Sequence, residues 1–144
     1  MNAPADPHFV TRIRESFARQ QAMALIGASL TLVEAGYTEI ALPYRAQITQ
    51  QKGFVHGGII GMIADTACGY AAYSLMPATA SLVTAEYKIN ILAAAKRALV
   101  ARGKVVKSGR TLTVARAEVY ADDGAHIATM QQTLVMLADT PDTQ

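Results

Sequence analysis

The chain has 144 residues, 51% of them hydrophobic and 6% aromatic, and a net charge of only +2. That length and apolar content fit one core, so residues 1–144 are read as a single domain. The lone cysteine, Cys68, excludes an internal disulfide and a thiol-based metal framework, and a reducing cytoplasm is the expected home.

Residues 1–7 are polar, contain proline and are expected to be loose; no basic start followed by an apolar run marks a secretory leader. Phe9, Val10, Ile13 and Phe17 recur at helical spacing and predict a short amphipathic helix over about 8–21. Two β-rich runs at 28–35 and 37–44 flank Gly36 and predict a hairpin. Residues 45–56 read as a polar loop, and 57–76 as one long helix stopped by Pro77. This helix is interrupted by Asp65, so no uncharged apolar run of about 18 residues exists and no membrane span is expected. Strands follow at about 81–93, 98–107, 111–121 and 125–137, with turns at Lys107-Ser108-Gly109-Arg110 and Asp122-Asp123-Gly124. The tail 139–144 is polar and expected to fray.

In the long helix Ile59, Ile60, Met62, Ile63, Ala64, Ala67, Cys68, Ala71 and Ala72 cover nearly every face. A helix apolar all round is expected to be buried all round. One such helix with five or six antiparallel strands predicts an α+β fold in which the sheet wraps around the helix. The small residues Gly61, Ala64, Ala67 and Gly69 would let the sheet approach closely.

Asp65 is the anomaly in this helix. An unpaired buried carboxylate costs several kcal/mol, so Asp65 either lines a cleft or is held by neighbouring backbone or a sheet arginine. His56-Gly57-Gly58 stands where the helix begins. Two glycines leave backbone N–H groups uncovered, and the helix dipole adds partial positive charge there, which suits an oxyanion forming on a carbonyl. Gly57 and Asp65 lie eight residues apart, roughly 12 Å along a helix axis. A donor and a base must both come within about 3 Å of the reacting atoms, so one chain cannot easily supply both to one substrate. Two antiparallel copies of the helix could, which predicts a homodimer with shared sites, open to further pairing as a dimer of dimers.

Other chemistries find less support. No Gly-x-Ser-x-Gly elbow is present, and Cys68 in an apolar helix reads as core rather than nucleophile. His8, His56 and His126 are isolated, so no metal is expected, and scattered Met and Tyr residues form no cofactor box. From Lys88 to Arg116 eight basic residues occur without an acid. This stretch could receive phosphates or be a solvated sheet face. Without stacking aromatics or helix-turn-helix spacing, nucleic acid is not the expected partner.

Four segments carry a resemblance: Gly53-Phe54-Val55-His56-Gly57-Gly58, Ala64-Asp65-Thr66-Ala67, Thr84-Ala85-Glu86-Tyr87-Lys88-Ile89-Asn90-Ile91-Leu92 and Ser108-Gly109-Arg110-Thr111-Leu112. In order and spacing, residues 30–137 resemble hotdog-fold thioesterases of the phenylacetate-pathway, PaaI-like type. The resemblance implies hydrolysis of acyl-CoA without a cofactor. It implies that the Gly57 N–H polarises the carbonyl beside His56, with Gly58 adjoining. Asp65 of the facing subunit would activate water or attack directly, and Thr84 would help hold the carboxylate or water. Gln50 stands where the family often has Asn and keeps the amide on a longer arm. Lys107, Ser108, Gly109, Arg110 and Thr111 match the region that meets CoA. A hydratase or dehydratase on acyl thioesters shares the fold, but an Asp following Gly-Gly favours hydrolysis. A non-catalytic acyl-CoA sensor would carry a DNA-binding segment, for which the one short helix expected in residues 1–27 is too little. Low aromatic content offers no ring-stacking slot, so medium or long aliphatic acyl chains are expected over hydroxyphenylacetyl groups.

Overall fold

Period-two alternation organises most of the chain. In the computed structural model, which describes residues 3–143, it produces six antiparallel strands: β1 (Ser29–Glu34), β2 (Tyr37–Leu42), β3 (Ser81–Ile91), β4 (Leu99–Ser108), β5 (Leu112–Ala121) and β6 (His126–Leu137). They form one sheet in the order β1-β2-β4-β5-β6-β3. Three helices accompany it: α1 (Phe9–Ala18), α2 (Gln21–Ile26) and α3 (Gly57–Tyr73). No helix among the described residues is long and apolar enough to cross a membrane.

The inward phase of β4, β5 and β6 supplies buried Ala101, Ala115, Ala117, Val119, Met130 and Leu134, which pack under α3. The approach is closest at Gly103, where an added Cβ would stand 2.3 Å from the backbone carbon of Ala67. Only glycine fits there. Thr38 on β2 donates its hydroxyl to the Ala67 carbonyl at 2.7 Å, tying helix to sheet at the same point. The expected turns are present: Gly36 and Gly124 have φ of +76° and +85°, which side chains other than glycine rarely adopt.

Several expectations are corrected. Residues 3–27 hold two helices, because α2 follows α1 after a two-residue break and ends at Gly27 in the left-handed region. The segment 45–56 is not all loop: Ala46–Ile48 form a 3-10 turn, and Thr49 bridges Val55. Helix α3 stops at Tyr73, four residues before Pro77, where the Ser74 hydroxyl caps the Ala71 carbonyl. Nor is α3 buried all round. Gly57 and Gly58 are exposed, and Ile59, Met62, Asp65 and Gly69 are half-buried. Near the two ends of the described chain, Asp6 is buried against Arg12, and the Asp142 carboxylate accepts from Ser16 of α1.

The half-buried stripe of α3 faces the edge strand β3, which pairs with β6 on one side only. β3 is exposed along most of its length, with Tyr87 45% and Ile91 46% accessible. A bulge at Ala85, between Thr84 and Glu86, resets the alternation so that both Thr84 and Tyr87 point toward α3.

Candidate active site

Asp65 sits halfway along α3, and the sheet supplies its partners. Thr84 of β3 donates its hydroxyl to Asp65 Oδ1 at 2.7 Å. Gln132 of β6 donates through Nε2 to that same oxygen and, at 2.7 Å, to Thr84 Oγ1. The three side chains close a triangle drawn from residues 19 and 67 positions away from Asp65. Both bonds fall on Oδ1, so Oδ2 has no hydrogen-bond partner among the described residues. The carboxylate is thus anchored by one oxygen and presents the other. Among the described residues neither backbone nor a sheet arginine holds it.

Gln132 was not anticipated. It is fully buried, and its Oε1 has no partner among the described residues. Its signal was available: in β6, Met130, Gln132 and Leu134 share the inward phase, and an amide among apolar neighbours needs a purpose.

The start of α3 is built differently. His56 is the N-cap, extended at φ −62° and ψ 135°, and its Nδ1 accepts from the Gly58 N–H at 2.9 Å. That bond makes Nδ1 the unprotonated ring nitrogen and leaves the proton of a neutral ring on Nε2. It also consumes the Gly58 donor. A Cβ on Gly58 would press on His56 Nδ1 at 3.1 Å, so the capping ring would have to shift by a few tenths of an ångström to admit one. Gly57 is free by contrast: its N–H has no acceptor among the described residues, and a Cβ would meet only Ile91 Cγ1, at 4.0 Å.

Two clefts follow from these two constructions. One, of about 380 Å³, contains Asp65 and Thr84. The other, of about 290 Å³, contains Gly57 and Gln50 among apolar Phe54, Ile60 and Ile91. The Gln50 amide oxygen accepts from the Lys52 N–H, and its NH₂ has no acceptor among the described residues. The chain therefore brings Asp65 to Thr84 and Gly57 to Gln50 and His56, and keeps the two groups apart.

The turn Lys107–Thr111 lines neither cleft. Strand register places it at the Asp65 end of the sheet, where Thr84 pairs with Leu134, Leu134 with Thr113, and Thr113 with Ser108. Gly109 is required by the turn, because a Cβ would stand 2.8 Å from the Leu112 carbonyl oxygen. The basic stretch divides. Arg97 pairs with Asp122 and Asp123, and Arg102 with Glu39. Among the described residues Lys104, Lys107, Arg110 and Arg116 have no ion-pair partner. Burial, with help from nearby Asp65, pushes the Cys68 thiol far above its usual range, which fits a core residue.

The sequence profile of the thioesterase superfamily matches residues 52–128. A Saccharolobus solfataricus protein with a provisional esterase name is 32% identical over 117 residues, spanning 80% of this chain and 83% of the relative. The chain belongs to the thioesterase superfamily. It is accordingly a thioester hydrolase. Solved structures agree. A thioesterase family protein from Silicibacter pomeroyi is 46% identical and superposes with a TM-score of 0.87, covering 90% of this chain and 98% of its own. The PaaI protein of the E. coli phenylacetic acid degradation operon shares the fold at 19% identity, with a TM-score of 0.86 over 94% and 98% of the two chains. The expected hotdog architecture is the one observed. For thioester hydrolysis the Asp65 triangle offers a carboxylate able to take a proton from water, and the Gly57 N–H offers a donor for a carbonyl oxygen.

Proposed function

We propose that the protein hydrolyses acyl-CoA to the free acid and CoA, as a homodimer whose sites each take Asp65 from one subunit and Gly57 from the other. The observation that carries this reading is the separation within one chain of the anchored carboxylate from the unengaged N–H donor, in two clefts.

A two-fold axis that would unite them can be located. The midpoint of Gly57 and Asp65 on α3 is Gly61. The midpoint of Thr84 and Ile91, the β3 residues of the two clefts, falls at Tyr87 and Lys88. Tyr87 covers Gly61, a Cβ on which would meet the tyrosine hydroxyl at 3.5 Å. One axis at this contact therefore relates both pairs. It would set the antiparallel β3 edges side by side, with Thr84 of one subunit opposite Ile91 of the other. The exposed Tyr87 and Ile91 and the half-buried Ile59 and Met62 fit a face awaiting a partner.

In this assembly Asp65 Oδ2 takes a proton from water as the water oxygen bonds to the thioester carbon. The carbonyl oxygen becomes an oxyanion held by the Gly57 N–H, aided by the α3 dipole. Collapse breaks the carbon–sulfur bond, and the CoA thiolate recovers the proton. Thr84 and Gln132 hold Oδ1 throughout. His56 Nε2–H and the Gln50 amide stand beside the donor, and the turn Lys107–Thr111 meets the CoA moiety.

Mixed dimers test the geometry. Gly57→Pro removes the N–H at the first helical position, where proline is well tolerated, and His56 already has the extended backbone a following proline needs. Asp65→Ala and Gly57→Pro should each be inactive alone. Unfolded separately and refolded together in equal amounts, half the dimers are mixed and each has one intact site, so activity should recover to about a quarter of wild type. No recovery, or a fully active monomer in sedimentation, would place each site within one chain.

A further inference from the structure

The cleft beside Asp65 does not end in an apolar wall. Asp65, Thr66, Gly69, Tyr70 and Tyr73 line it along one face of α3, so it runs from the carboxylate toward the helix C-terminus. Gly69 keeps it open, since a Cβ there would meet only Leu82 Cδ1, at 4.0 Å. At its far end Tyr70 is buried, with its hydroxyl 3.1 Å from Ser16 Oγ and accepting from Gln20 Nε2 at 3.0 Å. Ser16 is buried as well and donates to Asp142 Oδ2. Arg19 Nη2 lies 3.2 Å from that oxygen and donates to the Asp142 carbonyl at 2.7 Å. A carboxylate from the chain's own tail thus occupies this corner, on one guanidinium and one buried hydroxyl.

We propose that Arg19 and Ser16 form a subsite for a carboxylate at the far end of the acyl group, and that Asp142 is its built-in, displaceable occupant. The ligand class is the CoA thioester of a short dicarboxylic acid. This rests on the acyl-CoA reading above and names the substrate class of that site.

The arrangement favours this class on three counts. Asp65 and Tyr70 are five residues apart, roughly 7.5 Å along the axis. That separation suits the two ends of a short diacid, whereas the pantetheine arm holds the CoA phosphates much farther from the thioester. An incoming carboxylate would replace the Asp142 carboxylate like for like and keep Arg19 paired. A long aliphatic chain would instead strip Arg19, Ser16 and Tyr70 of hydrogen-bond partners, which is costly and runs against the acyl preference expected from composition. The occupant is also easy to dislodge. The side chains of Arg19 and Asp142 are 43% and 39% exposed, and exposed ion pairs of this kind hold weakly. The tail beyond β6, residues 138–143, is exposed throughout.

The test compares matched thioesters: succinyl- with butyryl-CoA, glutaryl- with valeryl-CoA, and adipyl- with hexanoyl-CoA. Wild type should favour the diacid in at least one pair by about tenfold or more in kcat/KM, as a site with hydrogen-bonding groups discriminates against an analogue lacking its partner. Arg19→Gln should erase that preference through KM, raising KM for the diacid about tenfold more than for its monoacid. Asp142→Ala should raise kcat/KM for the preferred diacid severalfold, with no change for its monoacid. Preference for the monoacid in every pair overturns the subsite. So does an equal rise in KM for both esters in Arg19→Gln, which would assign Arg19 to CoA, or a loss of diacid turnover in Asp142→Ala. Calorimetric binding of each pair to Asp65→Asn, with and without Arg19→Gln, reads the subsite without turnover. Arg19-dependent diacid binding in a protein that hydrolyses no CoA ester would sink the hydrolytic reading and keep the subsite. Binding without such dependence sinks the subsite whatever the turnover.

Discussion

The two clefts differ in what they are made of. The Asp65 cleft is a side-chain construction, in which a carboxylate, a hydroxyl and an amide from α3, β3 and β6 constrain one another. The Gly57 cleft is a main-chain construction, in which a helix start is capped by its own histidine and one N–H is left over. The first can accept a proton and the second can stabilise negative charge, and thioester hydrolysis requires both. On the proposed mechanism each cleft is chemically half of a site. The exposed β3 edge, which carries accessible Val83, Tyr87 and Ile91, runs from one to the other.

The largest expected effect breaks the comparison on the Asp65 side. Asp65→Asn preserves size and can still receive the Thr84 hydroxyl, so the protein should fold and assemble as wild type. Loss of the general base should lower kcat by about 10²–10⁴-fold in a thiol-release assay. Near-normal turnover would show that this carboxylate does not activate water.

The next effect breaks the junction between the halves. Tyr87 lies at the proposed axis and is 45% exposed in the single chain, so Tyr87→Glu should leave the monomer folded. In the dimer two like charges would meet, at a cost of several kcal/mol, and the dissociation constant should rise roughly a hundredfold or more. Sedimentation should show monomers, and specific activity should fall on dilution in step with dissociation. A monomer that retains full activity would mean that the clefts do not need each other.

How far each half was legible in the sequence follows from how it is built. The long helix, its glycine start and its anomalous aspartate are local patterns within 17 residues, and all stood out. The hairpin turns were legible because Gly36 and Gly124 sit where only glycine is comfortable. Gln132 was missed because its value lies in a partner 67 residues away, which no local spacing reports. His56 was expected beside the carbonyl and was not read as a helix cap, since caps are usually Ser, Thr, Asp or Asn. Helix α2 escaped because six residues give too little periodicity, although Gly27 marked its end. Burial of α3 on all sides was over-read: its composition matched a buried helix, but one stripe is left half-open toward β3.

Gln132 sharpens the side-chain half. Gln132→Met keeps the volume in a fully buried position and removes the Nε2 donor and the unpartnered Oε1 together. A hydrogen bond to a charged group is worth about 1.5–3 kcal/mol, so kcat should fall on the order of tenfold or more if that bond orients Asp65. KM should hold, and thermal stability should change little, because an orphaned buried acceptor disappears with the donor. A fall in stability with kcat unchanged would make Gln132 a structural residue, and the triangle would reduce to Asp65 and Thr84.

The smallest effect asks which half also meets the CoA moiety. Arg110 is exposed, has no ion-pair partner among the described residues, and sits in the turn at the Asp65 end of the sheet. A solvent-facing cation gains only about 0.2–1 kcal/mol from an opposite charge, so Arg110→Ala should raise KM for an acyl-CoA about two- to fivefold and leave kcat alone. The effect should shrink at high salt, where exposed charges are screened. It should vanish for an acyl-pantetheine substrate, which has no phosphate to lose. An unchanged KM would return Arg110 to the solvated face, and the basic stretch would then have no part in either half of the site.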